Sequence, residues 1–243
     1  MKSIVVFKWS RNPQDARVGS DGSVDWRGVK LAASDDDPAA IAIARDLAAG
    51  GEIVGLTIGD GDVAWAAARG AARTVVVADA QADVNSAVTG AILAAGVRNI
   101  DGADVVLLGD SAWDYGVVIA LAGQLGWPAL AGVVAASLEK GRLRVTRKIG
   151  SGTQVLEMTG PAVLAVAASR AEQQPPGMKE VLAARKKPVA RLSLSDLDVA
   201  GVAAVTSRGS KFPDTAPARM IDGADPAAAA AQLVAALRSD GVL

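Results

Sequence analysis

The chain has 243 residues, a net charge of −1, and neither cysteine nor histidine; 51% of it is apolar but only 3% aromatic. Disulfides, thiolate nucleophiles, iron–sulfur ligation and imidazole catalysis are thereby excluded, and a zinc site would have only carboxylates to hold it. The charge is uneven: Leu138 to Arg191 holds 11 Lys/Arg against 4 Glu, a basic stretch that lacks the interleaved aromatics of a nucleic-acid surface.

The length suits one α/β domain with extensions, or two small domains. MKSIVVFKW is too short an apolar run for a signal peptide, and Pro161–Ala168 is far too short to span a bilayer. The expectation is a soluble, cytoplasmic protein without membrane insertion. Apolar runs bounded by turn residues predict buried strands at Ser3–Phe7, Ile53–Ile58, Thr74–Val77, Asp104–Leu108 and Ala162–Val166. Helical patterns separate them: Pro38–Ala49 behind the acids Asp35-Asp36-Asp37, then Asp62–Arg69, Val84–Asn99 and Val117–Leu125. That alternation predicts a largely parallel, doubly wound sheet. Leu130–Leu138, Gly141–Lys148 and Gln154–Met158, joined by glycine turns, predict an antiparallel meander at its edge. SRAEQQPPG reads as an exposed loop, Met178–Ala184 as a short helix before Arg185-Lys186-Lys187, and Pro226–Arg238 as an alanine-rich terminal helix. The division expected is an α/β domain over 1–192 and an arm over 193–243 that packs on a partner subunit.

Three stretches are candidates for function. Gly59-Asp60-Gly61-Asp62-Val63-Ala64 fits G-x-G-x-x-A between a strand and a helix, with Asp79 twenty residues beyond the first glycine; that is the pattern of an NAD site, although it follows the second strand and βα turns favour glycine anyway. The loop Gly109-Asp110-Ser111-Ala112-Trp113-Asp114-Tyr115-Gly116 lies between the carboxyl end of a strand and a helix N-terminus, where open α/β sheets bind ligands and phosphates. The alternative there is a plain connection capped by Ser111 or Asp114. Glu172 to Lys187, proline-rich and then basic, is either a docking surface or a solvated loop. No catalytic or metal-ligating set emerges, so the chain is not expected to be an enzyme by itself.

In order along the chain, IVVFKW with Lys8, Glu52–Gly59, DVVLLGDSAWD, LGWPAL, VTRKIGSGTQVLEMTGPAVLAV and the Glu172, Pro176, Met178, Arg185-Lys186-Lys187-Pro188 series with RLSLSDLDV resemble the beta subunit of electron transfer flavoproteins over roughly 1–199. The resemblance implies an electron carrier whose FAD is held mainly by an alpha subunit. It implies electrons taken from a flavin-dependent dehydrogenase and passed to a quinone reductase or another acceptor. It also implies AMP, or in some members a second FAD, within this subunit, surrounded by Val6, Gly109, Ala112 and Asp114 with backbone contact from Ile58. Glu172, Pro176, Met178, Arg185, Lys186 and Lys187 would form the partner-recognition segment, with Met178 as its apolar anchor and Lys186 and Lys187 as steering charges. The family's phosphate-cradling threonine and glutamine have no counterpart after Asp114, and Asp35-Asp36-Asp37 would repel a phosphate. Nucleotide binding at Gly109–Gly116 is therefore expected to be weak or lost. The competing reading is a stand-alone adenine-nucleotide-binding or NAD-binding α/β protein.

Overall fold

The five apolar runs become central strands because both of their faces are covered. A computed structural model of the protein describes residues 1–48, 51–59, 61–81, 85–110, 114–167, 175–199, 208–215 and 217–243. In chain order the elements are β1 (Lys2–Val6), β2 (Ser10–Arg11), β3 (Arg17–Val18), β4 (Val24–Asp25), β5 (Leu31–Ala32), α1 (Asp37–Leu47), β6 (Glu52–Ile58), α2 (Trp65–Ala68), β7 (Arg73–Val77), α3 (Ser86–Arg98), β8 (Val105–Gly109), α4 (Tyr115–Leu125), β9 (Ala129–Glu139), β10 (Arg142–Ile149), β11 (Gly152–Met158), β12 (Ala162–Val166), α5 (Met178–Ala184), β13 (Val189–Leu192) and α6 (Pro226–Ser239).

Nine strands form one sheet in the order β11-β10-β9-β12-β8-β1-β6-β7-β13. The pairs from β9 through β13 are parallel, and β10 and β11 extend the sheet antiparallel. This is the expected mixed sheet with its edge meander. Alternate residues of each central strand serve opposite faces, as a pleated backbone requires. Ile4, Val6, Leu56, Ile58, Val106 and Leu108 meet Leu93 and Val97 of α3 and Val117 and Leu121 of α4. Val5, Phe7, Ile53, Leu107 and Leu164 meet Ile41, Ala44 and Leu47 of α1 and Trp65 of α2. Helices on both faces explain why the strands are near-continuous apolar runs and not alternating ones.

Chain order places the ligand edge. From β1 the chain moves one way to β6 and β7, then returns to the other side of β1 as β8. The carboxyl ends of β1 and β8 therefore border the topological switch point, where open α/β sheets form their binding crevice.

Two features were not anticipated. Val189–Leu192 pairs in parallel with Thr74–Val77 and becomes an edge strand. The segment after β1 forms two short antiparallel ladders, β2 with β5 and β3 with β4. The described residues divide into two units, one of Met1–Val18 and Val24–Arg208, the other of Gly19–Ser23 and Gly209–Leu243. The second unit contains α6, whose N-terminus is capped by Asp225 through the amides of Ala227 and Ala228. No residue of α6 is buried. Among the described residues no helix is long and apolar enough to cross a membrane.

Candidate functional site

At the switch point the structure brings together Val6 and Lys8 from β1 and its exit, Gly109 from β8, Ser34 and Asp37 at the start of α1, and Asp114 before α4. Ala112, with Ser111 and Trp113, lies outside the described residues. Ile58 is fully buried at the end of β6. It does not line this crevice, because β6 lies on the far side of β1 from β8.

The chemistry here is dominated by Asp37. It occupies the first turn of α1, behind the turn in which Ser34 Oγ accepts the Asp36 N–H. That turn directs its carboxylate inward, where it is 3% exposed. Oδ2 accepts the Ser34 N–H at 3.1 Å, Oδ1 accepts the Gly109 N–H at 3.3 Å, and the Lys8 amide also donates to it. Burial pushes its pKa up to about 7, against the lowering effect of those three amides. Beside it, Lys8 Nζ pairs with Asp114 Oδ2 at 2.5 Å, both side chains mostly covered. The open space between these groups is about 20 Å³, on the order of one water molecule. Backbone amides at this edge are what a phosphate would need, and three of them, those of Lys8, Ser34 and Gly109, donate to an internal carboxylate. Those three amides are therefore not open to a phosphate, and residues 111–113 of the loop lie outside the described residues. Asp37 acts as an acceptor held in the crevice, beyond its share in a repelling run of acids.

The Gly59–Ala64 turn has a packing role. A Cβ on Gly61 would fall 2.1 Å from Trp9 Cδ1, so only glycine lets the indole lie against this turn. Asp79, the candidate ribose ligand, instead accepts the Leu194 N–H at 2.8 Å and ties the chain after β13 to the loop after β7. Asp60 lies outside the described residues.

The recognition segment is described from Pro175 onward, so Glu172 lies outside the described residues. Pro176 leads into α5, whose first residue Met178 is 75% exposed, with Leu182 one turn on at 53%. Neither side chain belongs to the core, and at i, i+4 they share one helix face. Arg185 and Lys186 are exposed. Lys187 departs from its expected part as a steering charge. Its Nζ donates to Ala67 O at 3.0 Å and Ala71 O at 2.7 Å, spending the cation on carbonyls at the C-terminal end of α2. Sequence reasoning had no signal for this, since the three basic residues in a row look alike. The same holds for Asp37 within its row of three acids.

The domain model of the electron transfer flavoproteins matches residues 23–197. The chain belongs to the electron transfer flavoprotein domain family. The match begins beyond Lys8 and ends just past β13. It therefore takes in the returning strand β8, the meander, the described part of the recognition segment, and Asp37 in the crevice. Membership of this family supports an electron-transfer role.

Proposed function

We propose that the chain is the beta-type subunit of an electron transfer flavoprotein, and that it carries electrons only together with an alpha-type subunit that holds FAD. The observation that supports the electron-carrier reading is the family match over residues 23–197; the beta-type assignment rests on the sequence resemblance. The complex would accept electrons from a flavin-dependent dehydrogenase in the cytoplasm and deliver them to a quinone reductase or another acceptor. FAD supplies the redox chemistry when bound by the partner; this chain supplies shape and docking. Residues 193–243 would serve as an arm on the partner subunit, consistent with a terminal helix that buries nothing within its own unit. Pro176, Met178, Arg185 and Lys186, with Glu172, would recognise the dehydrogenase, with Met178 as anchor because an unbranched thioether adapts to irregular pockets.

Within this subunit nucleotide binding is weak or lost: Asp37 takes the Lys8, Ser34 and Gly109 amides, which border the place of an AMP or second-FAD phosphate. Release of stoichiometric AMP or FAD from this chain on denaturing the purified complex would overturn that part of the proposal. For the subunit itself, co-expression with an alpha-type neighbour should yield a yellow complex. Titration of the isolated chain with AMP, ATP and NAD should yield no tight binding, and tight binding would favour the stand-alone reading.

A further inference from the structure

An open groove of about 800 Å³ lies between α1, α2 and α5, a size that suits a few residues of a bound chain better than a single ion. Arg45 of α1, Arg69 and Gly70 after α2, and Pro175–Gly177 leading into α5 form its walls. Arg45 is exposed and has no ion pair among the described residues. Gly70 leaves room for its stem: φ is +123°, and a Cβ there would crowd Arg45 Cδ at 3.2 Å. Arg69 sits with its guanidinium 4.1 Å from the centre of the Trp65 ring, and one of its N–H groups donates to Trp65 O at 3.1 Å. Burial works against its charge, and the acids that favour it, Asp62 and Asp37, act on it only through space. Lys187 is spent on the α2 carbonyls. The one acid on the walls, Glu180, folds back over Gly177 at the N-terminus of its own helix. Among the described residues the groove thus offers two guanidinium groups with donors to spare, and its one lining carboxylate, Glu180, is turned toward the start of its own helix.

We propose that this groove receives an acidic segment of the protein that docks on α5, its carboxylates pairing with Arg45 and Arg69. The proposal rests on the reading of α5 as the docking helix. A planar guanidinium matches a carboxylate with two parallel N–H donors, which an ammonium does not. The groove adjoins the helix that carries the exposed Met178 and Leu182, so an apolar anchor and a charged flank lie side by side, as in the core and rim of a protein interface. Complementary charge there would set orientation and encounter rate more than residence time.

The test uses the intact two-subunit carrier and its dehydrogenase, following flavin reduction against carrier concentration. Arg45→Glu, on an exposed helix face, should raise the half-saturating concentration about tenfold at low ionic strength, and the effect should shrink near 1 M salt, where charges are screened beyond about 3 Å. Arg142→Glu, on the distant meander, should leave it unchanged. A hexaglutamate peptide should compete with the dehydrogenase for the wild-type carrier and much less for Arg45→Glu. If Met178→Ala raises the half-saturating concentration while Arg45→Glu does not, the groove proposal falls and the docking reading stands. If neither variant changes it, both fall. Equal losses for Arg45→Glu and Arg142→Glu would trace the effect to net charge and overturn the groove.

Discussion

Asp37→Asn isolates the charge held in the crevice. The carboxyl titrates near 7 in the fold against 3.8 in the unfolded chain. At about 1.4 kcal/mol per unit, the ionised form weighs against the fold by about 4 kcal/mol. Because the folded-state pKa is raised, the folded state binds more protons than the unfolded state between those values. This contribution to stability is therefore fully present below pH 4 and is lost as pH rises to about 7. Asparagine cannot ionise, so its pH slope from this site vanishes. It also turns one oxygen into a donor, leaving one of the Ser34 or Gly109 amides without its acceptor, at a cost of about 1–3 kcal/mol. Between pH 5 and pH 8 wild type should lose roughly 2–3 kcal/mol from this site that the variant keeps, so the variant should gain on wild type by about that amount and lie above it at pH 8. With no histidine in the chain, few other groups titrate across this window, so the comparison is clean. Urea midpoints for both proteins at pH 5 and pH 8 supply the assay. Stability curves that run parallel from pH 5 to pH 8 would refute the assignment. AMP binding offers a second readout and should strengthen in the variant at pH 8, once the competing carboxylate has lost its charge.

Met178→Ala should weaken dehydrogenase coupling about tenfold to a hundredfold, the loss expected for removing about 1.5–3 kcal/mol of apolar burial at an interface, with bound FAD and thermal stability unchanged; an unchanged half-saturating concentration rules the anchor out. Lys187→Met keeps the stem and removes two charge-assisted bonds, so it should lower stability by about 2 kcal/mol and persist in high salt, whereas Lys186→Met should leave stability alone and affect only the salt-dependent encounter rate. Gly61→Ala forces a methyl into the Trp9 indole and should cost about 1–3 kcal/mol, read as a lower midpoint in thermal unfolding; an unchanged midpoint would show that Trp9 moves freely.

The sheet was legible because strands covered on both faces declare themselves as unbroken apolar runs, Ile53–Ile58 and Ala162–Val166 above all. The meander was legible from glycine turns between strands of mixed polarity. Val189–Leu192 was not, because an edge strand covered on one side only carries a weak apolar signal, and it follows a basic run that reads as a tail. In the crevice, position was predictable from strand order, but the roles of single residues were not. Asp35, Asp36 and Asp37 are equivalent in composition, and only the turn at Ser34 decides which carboxylate points inward. Lys187 and Asp79 have partners more than a hundred residues away, contacts that no local pattern encodes. Those distant partners turn a candidate steering charge and a candidate ribose ligand into ties between elements of the fold.

The central claim is that this chain carries electrons only as part of a flavoprotein complex. Its most direct test is co-purification with an alpha-type subunit, followed by the visible spectrum of the complex and its bleaching by a reduced flavin dehydrogenase. The account predicts a stable one-to-one complex with a flavin absorption band that bleaches on reduction, and no flavin on this chain alone. A stable monomer that binds NAD or a flavin tightly and turns over without a partner would contradict it.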